Sequence, residues 1–197
     1  MIDISLIRPS DYVQSDWSGG KTTQLYLYPE KGHYKPGHFA YRLSTATVAL
    51  RQTTFTLLED YHRLLMPLDK TIILSDLSHS KEISLAPFES YAFEGSSRMV
   101  SRGTCQDVNL IYDDHYKGQL KAIWQADDIE ESSAHIHLIY ALEDIEIKLE
   151  NQQQITLPHK HLLVLKDNQQ KTNWHMSQKG KTYQKPLAIW TELWETL

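Results

Sequence analysis

A chain of 197 residues is long enough for one large domain or two small ones, and it buries roughly 70 % of the surface its unfolded form exposes without needing a covalent staple. A formal net charge of −5 and a pI near 6.0 exclude nucleic acid as an expected partner, because such binders present a basic face that releases counterions. The single cysteine, Cys105, rules out an internal disulfide, Met1-Ile2-Asp3-Ile4 shows no leader pattern, and no run nears the roughly 20 apolar residues of a spanning helix; a cytoplasmic protein with no membrane partner is expected.

From the amino end, Pro9-Ser10-Asp11-Tyr12 predicts a short helical turn that Ser10 can cap. Period-two alternation then dominates. Residues 23–28 alternate and stop at Pro29, and residues 41–50 alternate while being rich in Thr, Val and Leu. Further strands are predicted at 63–65, 71–74, 84–85, 91–93, 99–101, 108–112 and 118–124, with turn-forming residues between them. After the polar stretch 113–118 come 134–141, 145–150, 154–157 and 162–165, the middle pair joined by a polar turn at 151–153. The lysines between Lys171 and Lys185 alternate with Gln and Asn and read as a solvated edge, and residues 188–197 predict a second short helix. Many short strands at this spacing predict an all-β jelly roll or barrel. Comparable runs on either side of 113–118 predict two such units, 1–113 and 114–197, the second reading as scaffold.

The motifs that carry chemistry fall in the first unit. Gly19-Gly20-Lys21-Thr22 lacks the Gly that a phosphate loop needs five places before its Gly-Lys pair, where Ser15 stands, and a strand pattern follows instead of a helix. It reads instead as a Gly-Gly turn opening a strand at a barrel mouth, with Trp17 packed over it. In the strand from Phe39, alternation points Phe39, Tyr41 and Leu43 one way and Ala40, Arg42, Ser44 and Ala46 the other. A buried guanidinium needs a partner, and two are open to Arg42: an internal ion pair with Asp107, or a ligand carboxylate suited to its planar fork. The two coexist if Asp107 holds Arg42 in place. Asn109 shares the Asp107 face and offers both a donor and an acceptor, either to an amide-like or imidazole-like ligand or to local backbone at a barrel corner. Phe88 and Phe93 read as core.

His135-Ile136-His137 and His159-Lys160-His161 each set two imidazoles on one strand face, yet Glu143 stands six residues past His137 without the Gly-punctuated pattern of a metal-binding barrel. No metal and no other cofactor is therefore expected. Cys105 reads as a buried filler with no base beside it, and no Gly-x-Ser-x-Gly elbow occurs, so no catalytic residue is assigned.

Taken together, Trp17-Ser18-Gly19-Gly20-Lys21-Thr22, Phe39 through Ala46, Phe55 to Arg63, Phe93-Glu94-Gly95 and Asp107-Val108-Asn109-Leu110 resemble, in order and spacing, the HutD/Ves family. The resemblance covers about half the chain. It implies a double cupin, two tandem β-barrels with few short helices, placed in the bacterial cytoplasm. It also implies a link to histidine utilisation, in which family members are suspected of binding a pathway intermediate. The chain departs from the family pattern at Thr56, Asp60 and His62, at Ser96, and at Ile111, Tyr112, Asp113 and Asp114, which points to a kept pocket whose rim has changed charge. The expected ligand-binding set is Trp17, Thr22, Arg42, Ser44, Arg63, Asp107 and Asn109, holding a small anionic metabolite in a metal-free sensor or modulator. The alternatives are a metal-dependent cupin enzyme using His135, His137 and Glu143, and a structural module that forms a homodimer through open strand edges.

Overall fold

The computed structural model describes residues 2–124, 129–149, 153–167, 172–178 and 185–196. In chain order its strands are β1 (Ile2–Ile7), β2 (Val13–Trp17), β3 (Gly20–Tyr28), β4 (Tyr41–Val48), β5 (Gln52–Thr54), β6 (Tyr61–Pro67), β7 (Ile72–Asp76), β8 (Lys81–Leu85), β9 (Tyr91–Glu94) and β10 (Met99–Arg102). They continue as β11 (Cys105–Asp113), β12 (Tyr116–Ile123), β13 (Ile129–Ser132), β14 (Ile136–Ala141), β15 (Ile145–Leu149), β16 (Gln154–Leu157), β17 (Leu162–Asp167), β18 (Thr172–Gln178) and β19 (Ala188–Glu195). Among the described residues the one helical element is the 3-10 turn Pro9–Asp11, where the Pro-Ser-Asp sequence predicts it and where Asp11 accepts a hydrogen bond from the Arg8 amide at 3.0 Å.

The chain divides into two compact units. One comprises Tyr12–Gly118 with Thr196–Leu197, and contains a six-stranded sheet, β2-β3-β4-β11-β6-β9, and a four-stranded sheet, β5-β10-β7-β8. Apolar residues from both sheets, among them Val48, Leu65, Leu74, Phe93, Met99 and Cys105, form its core. The other comprises Met1–Asp11 and Gln119–Glu195, and contains sheets β1-β17-β14-β19-β12 and β13-β18-β15-β16. Its core draws Ile139, Leu163 and Trp190 from the first sheet and Ile147 and Leu157 from the second.

Two expectations are corrected. The division into 1–113 and 114–197 misplaces the amino terminus, because β1 pairs antiparallel with β17, Ile2 opposite Asp167 through Ile7 opposite Leu162, and Ile2 and Ile4 pack on the core of that unit. A pairing partner some 160 residues away leaves no local trace in the sequence. Residues 188–197 are not a helix: Ala188–Glu195 is β19, buried from Ala188 through Leu193 and hydrogen-bonded alongside β14. A segment whose Thr191 and Glu192 are buried along with its apolar residues shows no alternation, which fits a buried helix and a strand covered on both faces equally well, and its place between β14 and β12 in the sheet decides. The lysine cluster lies outside the described residues apart from Lys185, which is exposed, as does the 151–153 turn apart from Gln153. Strand β2 carries no alternation in its sequence, because every one of its residues is exposed.

Candidate functional site

Strand register builds the site. Residues directly opposite one another in an antiparallel sheet share a face, so the pairings across β3, β4, β11 and β6 define rows on the face that Arg42 occupies. One row runs Ser15, Thr22, Ala46, Asp107; the next runs Gln24, Ser44, Asn109, Leu65; a third runs Leu27, Arg42, Ile111, Arg63, Phe93. A bulge in β3 between Gln24 and Tyr26 resets the alternation there, so that both Gln24 and Leu27 fall on this face. Alternation along β4 and β11 was legible in the sequence; the alignment of Arg63 with Arg42 across β11 was not.

From these rows Ser15, Thr22, Ala46, Asp107, Ser44, Asn109, Arg42 and Arg63 line a cavity of about 290 Å³. All seven sequence-selected residues, Trp17, Thr22, Arg42, Ser44, Arg63, Asp107 and Asn109, are in its wall. The wall also includes Thr53 and Thr54 of β5 and Ser101 of β10, and the sequence reading missed these along with Ser15, Tyr34 and Phe55. Ser15 could have been found from its pairing with Thr22, whereas Tyr34 lies in the irregular segment between β3 and β4, where no periodicity marks it. At the mouth, Trp17 and Tyr34 are 39 % and 42 % exposed. The Trp17 ring covers Gly19, where an added Cβ would collide with the indole, and Gly20 brings β3 so close to β4 that a Cβ there would strike the Thr47 carbonyl.

Both arginines are buried, Arg42 at 6 % and Arg63 at 5 % exposure. Arg42 Nε donates to Gln24 Oε1 at 2.9 Å and Nη1 donates to Ser44 Oγ at 3.2 Å, while the Tyr34 ring lies 4.2 Å from its Cζ. Burial lowers its pKa, and Tyr34 works the other way. The Arg63 guanidinium is stacked against Phe55 at 4.9 Å and Phe93 at 5.3 Å, and Nη1 donates to the Thr56 carbonyl at 3.2 Å. Among the described residues its buried Nε has no hydrogen-bond partner, and burial pushes its pKa down to about 10 despite the opposing pull of Tyr34 and Asp107.

The internal Arg42–Asp107 ion pair is not formed. Arg42 stands opposite Ile111, and Asp107 lies four residues along β11, about 13 Å at roughly 3.3 Å per residue. Among the described residues neither guanidinium has a carboxylate at ion-pair distance, so the cavity wall carries two buried cations without a counter-ion in contact. Asp107 is itself 5 % exposed, and burial raises its pKa to about 7, with Arg63 opposing and Asp69 reinforcing the rise. Asn109 Oδ1 is buried and accepts no hydrogen bond from the described residues.

The remaining candidates do other things. Cys105 is a core residue whose thiol is pushed up to about 12 by burial and by the charges of Asp107 and Asp69, so it is no nucleophile. Phe93 is in the core, as expected, but also supports Arg63. In the other unit, His135 Nδ1 accepts from the Glu195 amide at 3.1 Å. His137 is fully buried, 2.9 Å from Ser132 Oγ and edge-on to Trp190. The amide of His159 donates to Asp144 at 2.7 Å. Among the described residues no three His, Cys, Asp or Glu side chains are grouped to hold a metal ion, and none of the described helices is long and apolar enough to cross a membrane.

The solved structures similar to this chain share its architecture. The conserved protein PA5104 from Pseudomonas aeruginosa PAO1 is 21 % identical with a TM-score of 0.83, 98 % of this chain covering 100 % of that one. HutD from Pseudomonas fluorescens SBW25 is 23 % identical with a TM-score of 0.75 over the same shares. Protein Ylba from E. coli is 12 % identical with a TM-score of 0.64, over 96 % of this chain and 90 % of that one. At such identities the likeness shows the fold, an all-β double cupin. Among curated protein sequences none is significantly similar. The HutD family model matches residues 9–184, which takes in every motif that carried the resemblance and every residue of the cavity wall, and the chain therefore belongs to the HutD family.

Proposed function

We propose that this protein is a sensor or modulator that binds a small anionic metabolite in the cavity of its Tyr12–Gly118 unit and acts by binding, with no metal taking part. The observation that carries the reading is the pair of buried guanidinia, Arg42 and Arg63, lining one cavity with no carboxylate in contact among the described residues. A buried unpaired cation costs several kcal/mol, and a carboxylate guest offsets that cost with charge-assisted, bidentate hydrogen bonds. The unused acceptor on Asn109 suits a guest that also carries an N–H or O–H donor. HutD membership favours an acid of histidine catabolism as the guest and a cytoplasmic setting.

Thermal-shift measurements with histidine, urocanate, formiminoglutamate and formylglutamate test the reading. At least one raises the melting temperature of the wild type, and Arg42→Ala abolishes that rise while remaining folded by circular dichroism. No rise with any of the four removes this ligand assignment, and an undiminished rise in Arg42→Ala removes the cavity as its seat.

A further inference from the structure

The arginines account for attraction of an anion; the carboxyl group that shares their cavity does not. Asp107 lines the same cavity as Arg42 and Arg63, is 5 % exposed, and among the described residues receives no hydrogen bond from any donor. The residues directly opposite it carry no charge: Ala46 stands opposite on β4 and Pro67 opposite on β6, and Pro67 has no amide hydrogen to give. The charged and titratable groups facing it are Arg63 from β6, Asp69 from the turn after β6, and Cys105 two residues back on β11. Asp69 is committed to the Gln106 amide at 2.8 Å and repels rather than compensates. An ionised Asp107 would therefore repel a carboxylate guest, whereas a protonated one would donate a short O–H···O⁻ bond to it.

We propose that Asp107 is a specificity-determining residue of this cavity, and that entry of a carboxylate is coupled to uptake of one proton by Asp107. This rests on the anion-binding reading above and adds to it a proton. The direction of linkage follows from the two forms. Burial already holds the empty-site pKa up at about 7, and a bound anion raises it further. Affinity is then greatest below that value and falls by up to tenfold per pH unit above it, about 30-fold between pH 6 and pH 8.5. An anion cavity built only of arginines, which keep their charge across this range, would be flat. Acidic conditions thus load the site and alkaline conditions empty it.

The test is isothermal titration calorimetry with succinate, a small carboxylate that stays largely ionised across the range, in Tris and imidazole buffers from pH 6 to pH 8.5. The expected result is a dissociation constant weakening about 30-fold across that interval, with net proton uptake visible as a dependence of the heat on the buffer's ionisation enthalpy. Asp107→Asn, which mimics the neutral form, binds at pH 8.5 about as tightly as the wild type does at pH 6, and with no proton uptake. Arg42→Ala, as the control for location, does not bind. Saturable succinate binding that is flat with pH, or a slope that survives in Asp107→Asn, overturns the proton linkage and leaves the anion-binding reading standing. No saturable binding of succinate at pH 6 overturns the linkage as stated; if the four histidine-pathway compounds also fail, the anion-binding reading falls with it. Should Asp107→Asn not fold, the chemical shift of the 13C-labelled Asp107 carboxyl in the wild type, titrated with and without succinate, decides the matter: a pKa that does not rise on binding overturns the proposal.

Discussion

Arg63 separates a binding site from a structural salt bridge, and replacing it with methionine tells which it is. The side chain is 5 % exposed, lies against the rings of Phe55 and Phe93, and its pKa is about 10 against an ordinary value of 12.5. A folded pKa below the unfolded one means that folding disfavours the charged form, and the penalty applies at every pH below the folded value, including neutrality. The gap corresponds to about 3 kcal/mol of desolvation cost that Met, similar in length and apolar, does not incur. Against this, Arg63→Met loses the bond to the Thr56 carbonyl and two ring contacts, together about 2 kcal/mol. The two nearly cancel, so urea unfolding followed by fluorescence and circular dichroism finds the variant within about 1 kcal/mol of the wild type, with an unchanged slope. Anion-induced thermal stabilisation is lost in the same variant. A penalty of about 3–5 kcal/mol, the size seen when one partner of a buried ion pair is removed, would refute the view that Arg63 lacks an internal counter-ion.

Two further predictions concern the same unit. His62 is gripped from both ring nitrogens, Nδ1 by Glu94 at 2.9 Å and Nε2 by Asp114 at 2.8 Å; burial alone would lower its pKa, but the hydrogen bonds and charges of the two carboxylates outweigh burial and raise it. A raised folded pKa contributes stability that is complete below the unfolded value near 6.5 and fades as pH rises through the folded one, so His62→Gln flattens the wild-type decline in melting temperature above pH 6.5. An unchanged decline would show that the clamp plays no part in it. Gly20→Ala sets a Cβ against the Thr47 carbonyl, where only backbone could yield, and costs upwards of about 2 kcal/mol in urea unfolding; a loss below about 0.5 kcal/mol would mean that β3 and β4 separate easily at this end.

What could be read without coordinates was whatever is periodic or locally encoded. Alternation in Phe39 through Ala46 put Arg42 and Ser44 on one face, alternation in Asp107 through Leu110 put Asp107 and Asn109 together, and five spaced motifs pointed to the HutD fold. What needed the tertiary structure was the set of distances between strands. Register set Arg63 in line with Arg42 across Ile111 and carried Asp107 four residues along β11, which left two guanidinia without a carboxylate in contact among the described residues where the sequence allowed for an ion pair. Long-range pairing likewise took Ile2–Ile7 to the edge of β17, and burial on both faces made a strand of Ala188–Glu195. The physical reason is the same throughout: a strand's sequence specifies which face each side chain takes, whereas its partner and register are settled by pairings between segments far apart in the chain.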